Sequence, residues 1–166
     1  MQPARRARPA IVAALGLAVI VAAAGCAPVM STPAPSHTPV SAGPLLSVQT
    51  RGGECVDGPC GTTIVVERDG RVHQAAKPPN ELGTLWPETL ASLEAAIGSA
   101  DFAEIRSHPF TGECPTAYDG QEIVFEFGTP GGVERIATCE VAVDFGSPPF
   151  AAVAAAVGSY VALPAR

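Results

Sequence analysis

Apolar and polar residues alternate along this chain in three regimes. From Ile11 to Gly25 there is no charged side chain, and the apolar run has no periodic break. From Ala27 to Pro44 no apolar period exists at all; Pro28, Pro33, Pro35, Pro39 and Pro44 alternate with Ser, Thr, Ala and Gly. From Leu45 onward the periods of strand and helix appear. Leu45–Thr50 alternates as a strand does. Thr62–Arg68 is β-branched and apolar, Asp69-Gly70 follows at once, and Arg71–Ala76 resumes, which predicts a hairpin on a tight turn. Lys77-Pro78-Pro79-Asn80 ends it.

The period then lengthens. Pro87 suits a first helical position and Glu88 the helix dipole; Leu90, Leu93 and Ile97 share one face, and Gly98 stops the helix. Trp86 stands where a Ser or Thr cap is usual and is expected to pack over the core. A short turn over Asp101–Arg106 adds Phe102 and Ile105 to the same layer. In Gln121–Phe127, Ile123, Phe125 and Phe127 face one way and Glu122 and Glu126 the other. Thr129-Pro130-Gly131-Gly132 turns the chain, Val133–Cys139 returns, and Pro148-Pro149 opens a last helix with Phe150, Val153 and Val157 on one side. The order β-β-β-α-β-β-α predicts an α+β domain over residues 45–166, with an antiparallel sheet of about five strands and helices on one face.

Charge explains the first regime. Arg5, Arg6 and Arg8 precede the apolar run and no acid does, the layout of an export signal, and the run is shorter than the ~20 residues a span needs. It ends in Ala23-Ala24-Gly25-Cys26, which resembles the lipobox of bacterial lipoproteins. That resemblance implies cleavage between Gly25 and Cys26, acylation of the Cys26 thiol and of the new amino terminus, and anchoring at the extracytoplasmic face of the plasma membrane. More than one acyl chain holds a protein stably where one does not. Residues 1–25 are then the signal and 26–44 the lipidated cysteine with a proline-rich tether. The chain as a whole resembles the small lipoproteins of high-GC Gram-positive bacteria.

Loss of the signal removes three arginines and no acid, which takes the formal net charge from −6 to −9. Such a domain has no electrostatic footprint for nucleic acid. Four cysteines remain, and outside the cytoplasm an even count points to disulfides. Of the three possible pairings, Cys55–Cys60 and Cys114–Cys139 are expected: the first encloses turn formers, and the second ties the residues flanking a hairpin. A zinc site is disfavoured, since no histidine lies near a cysteine in sequence.

No nucleophile elbow, zinc-protease helix, P-loop or dinucleotide fingerprint occurs, so neither catalysis nor a metal or cofactor is expected. Ser107-His108 are neighbours that rarely face each other productively, and Glu122 and Glu126 are expected to be solubilising. The remaining candidate is Cys114-Pro115-Thr116-Ala117-Tyr118-Asp119, a stapled loop entering the best strand, with Tyr118 over the core. Locally, Cys-Pro-x-x-Tyr-Asp resembles the reactive-site region of the Streptomyces subtilisin inhibitor family. That resemblance implies a tethered serine-protease inhibitor with Thr116 entering the specificity pocket and Ala117 next to it. The residues by themselves point to a binding module for an envelope protein or ligand, with Pro115–Asp119 as its contact loop.

Overall fold

A computed structural model describes residues 43–55 and 58–164 of the chain, the side chains of 55–59 excepted. The signal, Cys26 and the tether up to residue 42 lie outside the described residues. The fold is α+β: a six-stranded antiparallel sheet with helices. Its strands are β1 (Leu46–Cys55), β2 (Gly58–Val66), β3 (Arg71–Gln74), β4 (Asn80–Thr84), β5 (Glu122–Thr129) and β6 (Gly132–Ala137). The helices are α1 (Pro87–Gly98), α2 (Phe102–Arg106) and α3 (Pro148–Val157). The spatial order is β4-β3-β2-β1-β5-β6, so β1 lies between its own hairpin partner and a strand that returns after both α1 and α2.

Period-2 patterning decides which side of the sheet is covered. Leu46, Val48, Ile64, Val66, Phe125 and Phe127 join Leu93, Ile97, Phe150, Val153 and Val157 in one buried cluster. Phenylalanine dominates it. Phe125 and Phe150 meet edge to face with centroids 5.1 Å apart, and Phe102 lies 5.1 Å from Phe127. The geometry favours such aromatic pairs beyond the area they bury.

The sheet has six strands where about five were expected. The sixth, β4, follows the two prolines taken to end the hairpin. Asn-Glu-Leu-Gly-Thr has little strand propensity, and it is strand because it pairs with β3 from Arg71↔Thr84 to Gln74↔Asn80. Trp86 does not pack over the core. It sits at the N-cap of α1 in extended backbone, before the helix turns inward, and is 75% exposed. Of the expected disulfides, Cys114–Cys139 is formed, with Cα atoms 5.2 Å apart. The proposed Cys55–Cys60 pair falls on a side chain outside the described residues.

Candidate functional site: an apolar groove beside a disulfide

The β5–β6 ladder ends at Val124↔Ala137, and beyond it side chain and backbone exchange bonds. The Ile123 N–H donates to Thr138 Oγ1 and the Thr138 N–H to the Ile123 carbonyl, both at 3.0 Å. A tight turn follows, with the Glu140 and Val141 N–H groups both donating to the Ala137 carbonyl. Val141 then bridges to Pro109 in antiparallel fashion: the Phe110 N–H donates to Glu140 O at 3.0 Å and the Ala142 N–H to His108 O at 2.8 Å. The Cys114–Cys139 disulfide closes the same two segments a few residues away.

Between them lies an open groove of about 500 Å³. Phe110, Pro115, Ile123, Val141, Val143 and Phe145 give it apolar walls. Gln121 and Thr138 add polar groups, and Asp144 is the one charged residue among the described lining. Five of the six phenylalanines touch one another in the core; the sixth, Phe110, lines this groove.

Of the expected contact loop Pro115–Asp119, Pro115 is the member that lines the groove. Pro115–Tyr118 is wound into a 3₁₀ turn, with the Ala117 N–H donating to Cys114 O at 2.9 Å and the Gly120 N–H to Pro115 O at 2.8 Å. Asp119 closes it in the left-handed region at φ 58°, a conformation that Asp tolerates better than most residues. The turn rests on a bulge of β1 between Arg51 and Glu54. There a Cβ on Gly52 would come within 2.5 Å of the Thr116 side chain, and the Gly52 φ of 93° favours glycine as well. Pro115, Thr116, Ala117, Tyr118 and Asp119 are all exposed. Tyr118, expected over the core, is 70% exposed, because the turn lifts it away from the sheet. Hydrogen bonding to Glu113 pushes its phenol above the ordinary tyrosine value. Binding as an added strand needs extended backbone, so Thr116 and Ala117 would have to unwind to enter a partner that way.

Other sequence candidates are placed differently. The Ser107 hydroxyl lies 3.4 Å from His108 Nδ1, yet it donates to Glu104 O at 2.7 Å. The same carbonyl is 3.0 Å from Nδ1. A carbonyl oxygen only accepts, so Nδ1 carries the proton and has no lone pair for the serine. Glu122 is not a solubilising side chain: it is 5% exposed and holds Arg51 Nε at 2.6 Å. Among the described residues no group of three or more His, Cys, Asp or Glu could hold a metal ion.

Sequence reasoning found the Cys114–Cys139 disulfide but missed the groove's far wall. Its signal was there: Val141, Val143 and Phe145 alternate with Ala142 and Asp144, a short strand-like pattern. No protein-family model, curated protein or solved structure matches this chain.

Proposed function

We propose that the chain is an exported lipoprotein, anchored through Cys26 at the extracytoplasmic face of the plasma membrane, whose domain binds an envelope ligand with an apolar body. The observation that carries the binding reading is the groove. Its volume falls in the range of small-ligand sites, and its mostly apolar walls carry a few polar groups able to fix orientation. The disulfide and the Pro109–Val141 bridge preorganise it, which lowers the entropic cost of taking a ligand. The anchor reading is supported by Arg5, Arg6, Arg8 and the run ending in Gly25-Cys26.

Two measurements test the two halves. For the groove, the neutral dye N-phenyl-1-naphthylamine is titrated into the chain from Ala27 to Arg166, with fluorescence as the readout. Saturable binding weakened about tenfold by Phe110→Glu is the expected result; Phe110 stands outside the core cluster, so the fold should persist. Unchanged binding in that variant would remove the groove from the account. For the anchor, Cys26→Ala is expected to move the protein from the membrane to the soluble fraction or to stall its processing. A serine protease inhibited stoichiometrically by the chain, with Thr116→Pro abolishing the effect, would instead favour the tethered inhibitor.

A further inference from the structure

Four large hydrophobic side chains are exposed among the described residues: Trp86, Tyr118, Val133 and Tyr160. Three of them gather at one end of the sheet. Trp86 follows Leu85, whose N–H donates to Gly70 O in the β2–β3 turn, and α1 starts directly after it. Val133 is the second residue of β6, beside the exposed Pro130 and Gly131 of the β5–β6 turn. A Cβ on Gly83, one residue from the end of β4, would lie 3.5 Å from the Tyr160 hydroxyl. Tyr118 alone belongs to the opposite end, where its turn rests on the β1 bulge and β5 begins.

The chain joins the domain at the end that carries the three. Arg68 Nε donates to Gly43 O and Arg68 Nη2 to Gly128 O, both at 3.1 Å. The Leu45 N–H donates to Val66 O, and the Gly128 N–H to Leu45 O. Residue 43 is thus fixed between the β2–β3 and β5–β6 turns. Charge at this end is largely paired: Asp69 with Arg71 at 2.9 Å, Glu134 with Arg106 at 2.6 Å. It has no basic cluster of the kind that draws a protein to anionic head groups. Its surplus is apolar, and Trp86 and Val133 stand near opposite edges of six strands, about 24 Å apart. A spread of that width suits a flat surface better than a small ligand.

We propose that this end rests on the bilayer that holds the anchor, with the Trp86 indole in the head-group region and Val133 and Tyr160 as lesser contacts. The inference rests on the anchoring through Cys26 proposed above and gives the anchored domain an orientation. Tryptophan, apolar in body and with one N–H, favours the membrane–water boundary. Residues 26–42 as an extended tether reach about 50 Å at most. Held within that distance, even a weak contact is made, because tethering raises the effective concentration of the surface. The groove stands at the other end: Ile123 in its wall is near the start of β5, about 17 Å of strand from Gly128 beside the chain entry. Docked in this way, the domain holds the groove on the side away from the lipid.

Trp86 is the one tryptophan in the chain, so its fluorescence reads the contact directly. The full chain, processed and acylated in cells, is reconstituted into vesicles of zwitterionic phosphatidylcholine, and flotation checks its attachment. Replacing that lipid with acyl-brominated phosphatidylcholine should quench Trp86 about twofold. A chain with Trp86→Phe and Tyr118→Trp carries the reporter at the far end and should keep its emission in the same brominated vesicles; both positions are exposed, so the fold should persist. Unquenched Trp86 in a floating protein, or equal quenching of both chains, would overturn the orientation and leave the anchor standing. Protein that does not float with the vesicles would remove the anchor, and the orientation with it.

Discussion

Along β1 and β5, neighbouring residues have opposite environments although they share the same backbone ladder. Leu46, Val48, Phe125 and Phe127 are fully buried against helices and one another, whereas Ser47, Gln49 and Glu126, one step away, face no helix. The covered side is closed by interlocking aromatic rings. The other side carries polar side chains, the Arg51–Glu122 ion pair and the His73–Glu67 hydrogen bond. One sheet thus presents two environments: a packed apolar side against the helices, and a polar side whose Gln49 and Glu126 are exposed.

Breaking the covered side should have the largest effect. Phe125→Ala removes a ring in contact with Phe127, Phe145 and Phe150, at a cost of about 3–5 kcal/mol; urea unfolding measures it, and a loss under 1 kcal/mol would mean the aromatic cluster is not the centre of the fold. The disulfide comes next. Its 25-residue separation corresponds to about 3.5 kcal/mol of loop-closure entropy. Cys114→Ser should lower the denaturation midpoint accordingly and weaken dye binding in the groove, because Pro115 follows directly.

On the uncovered side effects should shrink. Arg51→Ala leaves the Glu122 carboxylate without its partner, so the midpoint falls, by less than for Phe125→Ala and less again at high salt, since Arg51 is half-exposed. Ser47→Ala and Gln49→Ala should each change stability by less than about 0.5 kcal/mol in the same urea measurement. A large stability loss there would make the side a second core and erase the contrast. The smallest effect is a titration at the disulfide-anchored turn. The Glu113 carboxylate stabilises the neutral Tyr118 phenol, so its contribution is complete below the ordinary tyrosine range and is lost as pH rises through the raised value. Glu113→Gln should return Tyr118 toward the ordinary value, as read by phenolate absorbance.

The chain's local signals determined much of this. Alternation located β5 and identified its buried side; Asp69-Gly70 set the β2–β3 turn; Pro87 and Gly98 bounded α1. These rest on periods and turn chemistry, which act between near neighbours and survive without tertiary context. Cysteine spacing also picked the Cys114–Cys139 bond, because the two lie at either end of one hairpin. Tertiary structure decided the rest. Strand β4 exists through its pairing with β3, against its own propensities. Trp86 and Tyr118 are exposed because a helix cap and a 3₁₀ turn point them outward, and hydrophobicity alone contains no such direction. The groove joins residue 110 to residue 145 across a disulfide, and the end where the chain enters gathers two turns that only the folded sheet brings together. Sites of this kind depend on contacts between residues distant in sequence, to which a local pattern is blind.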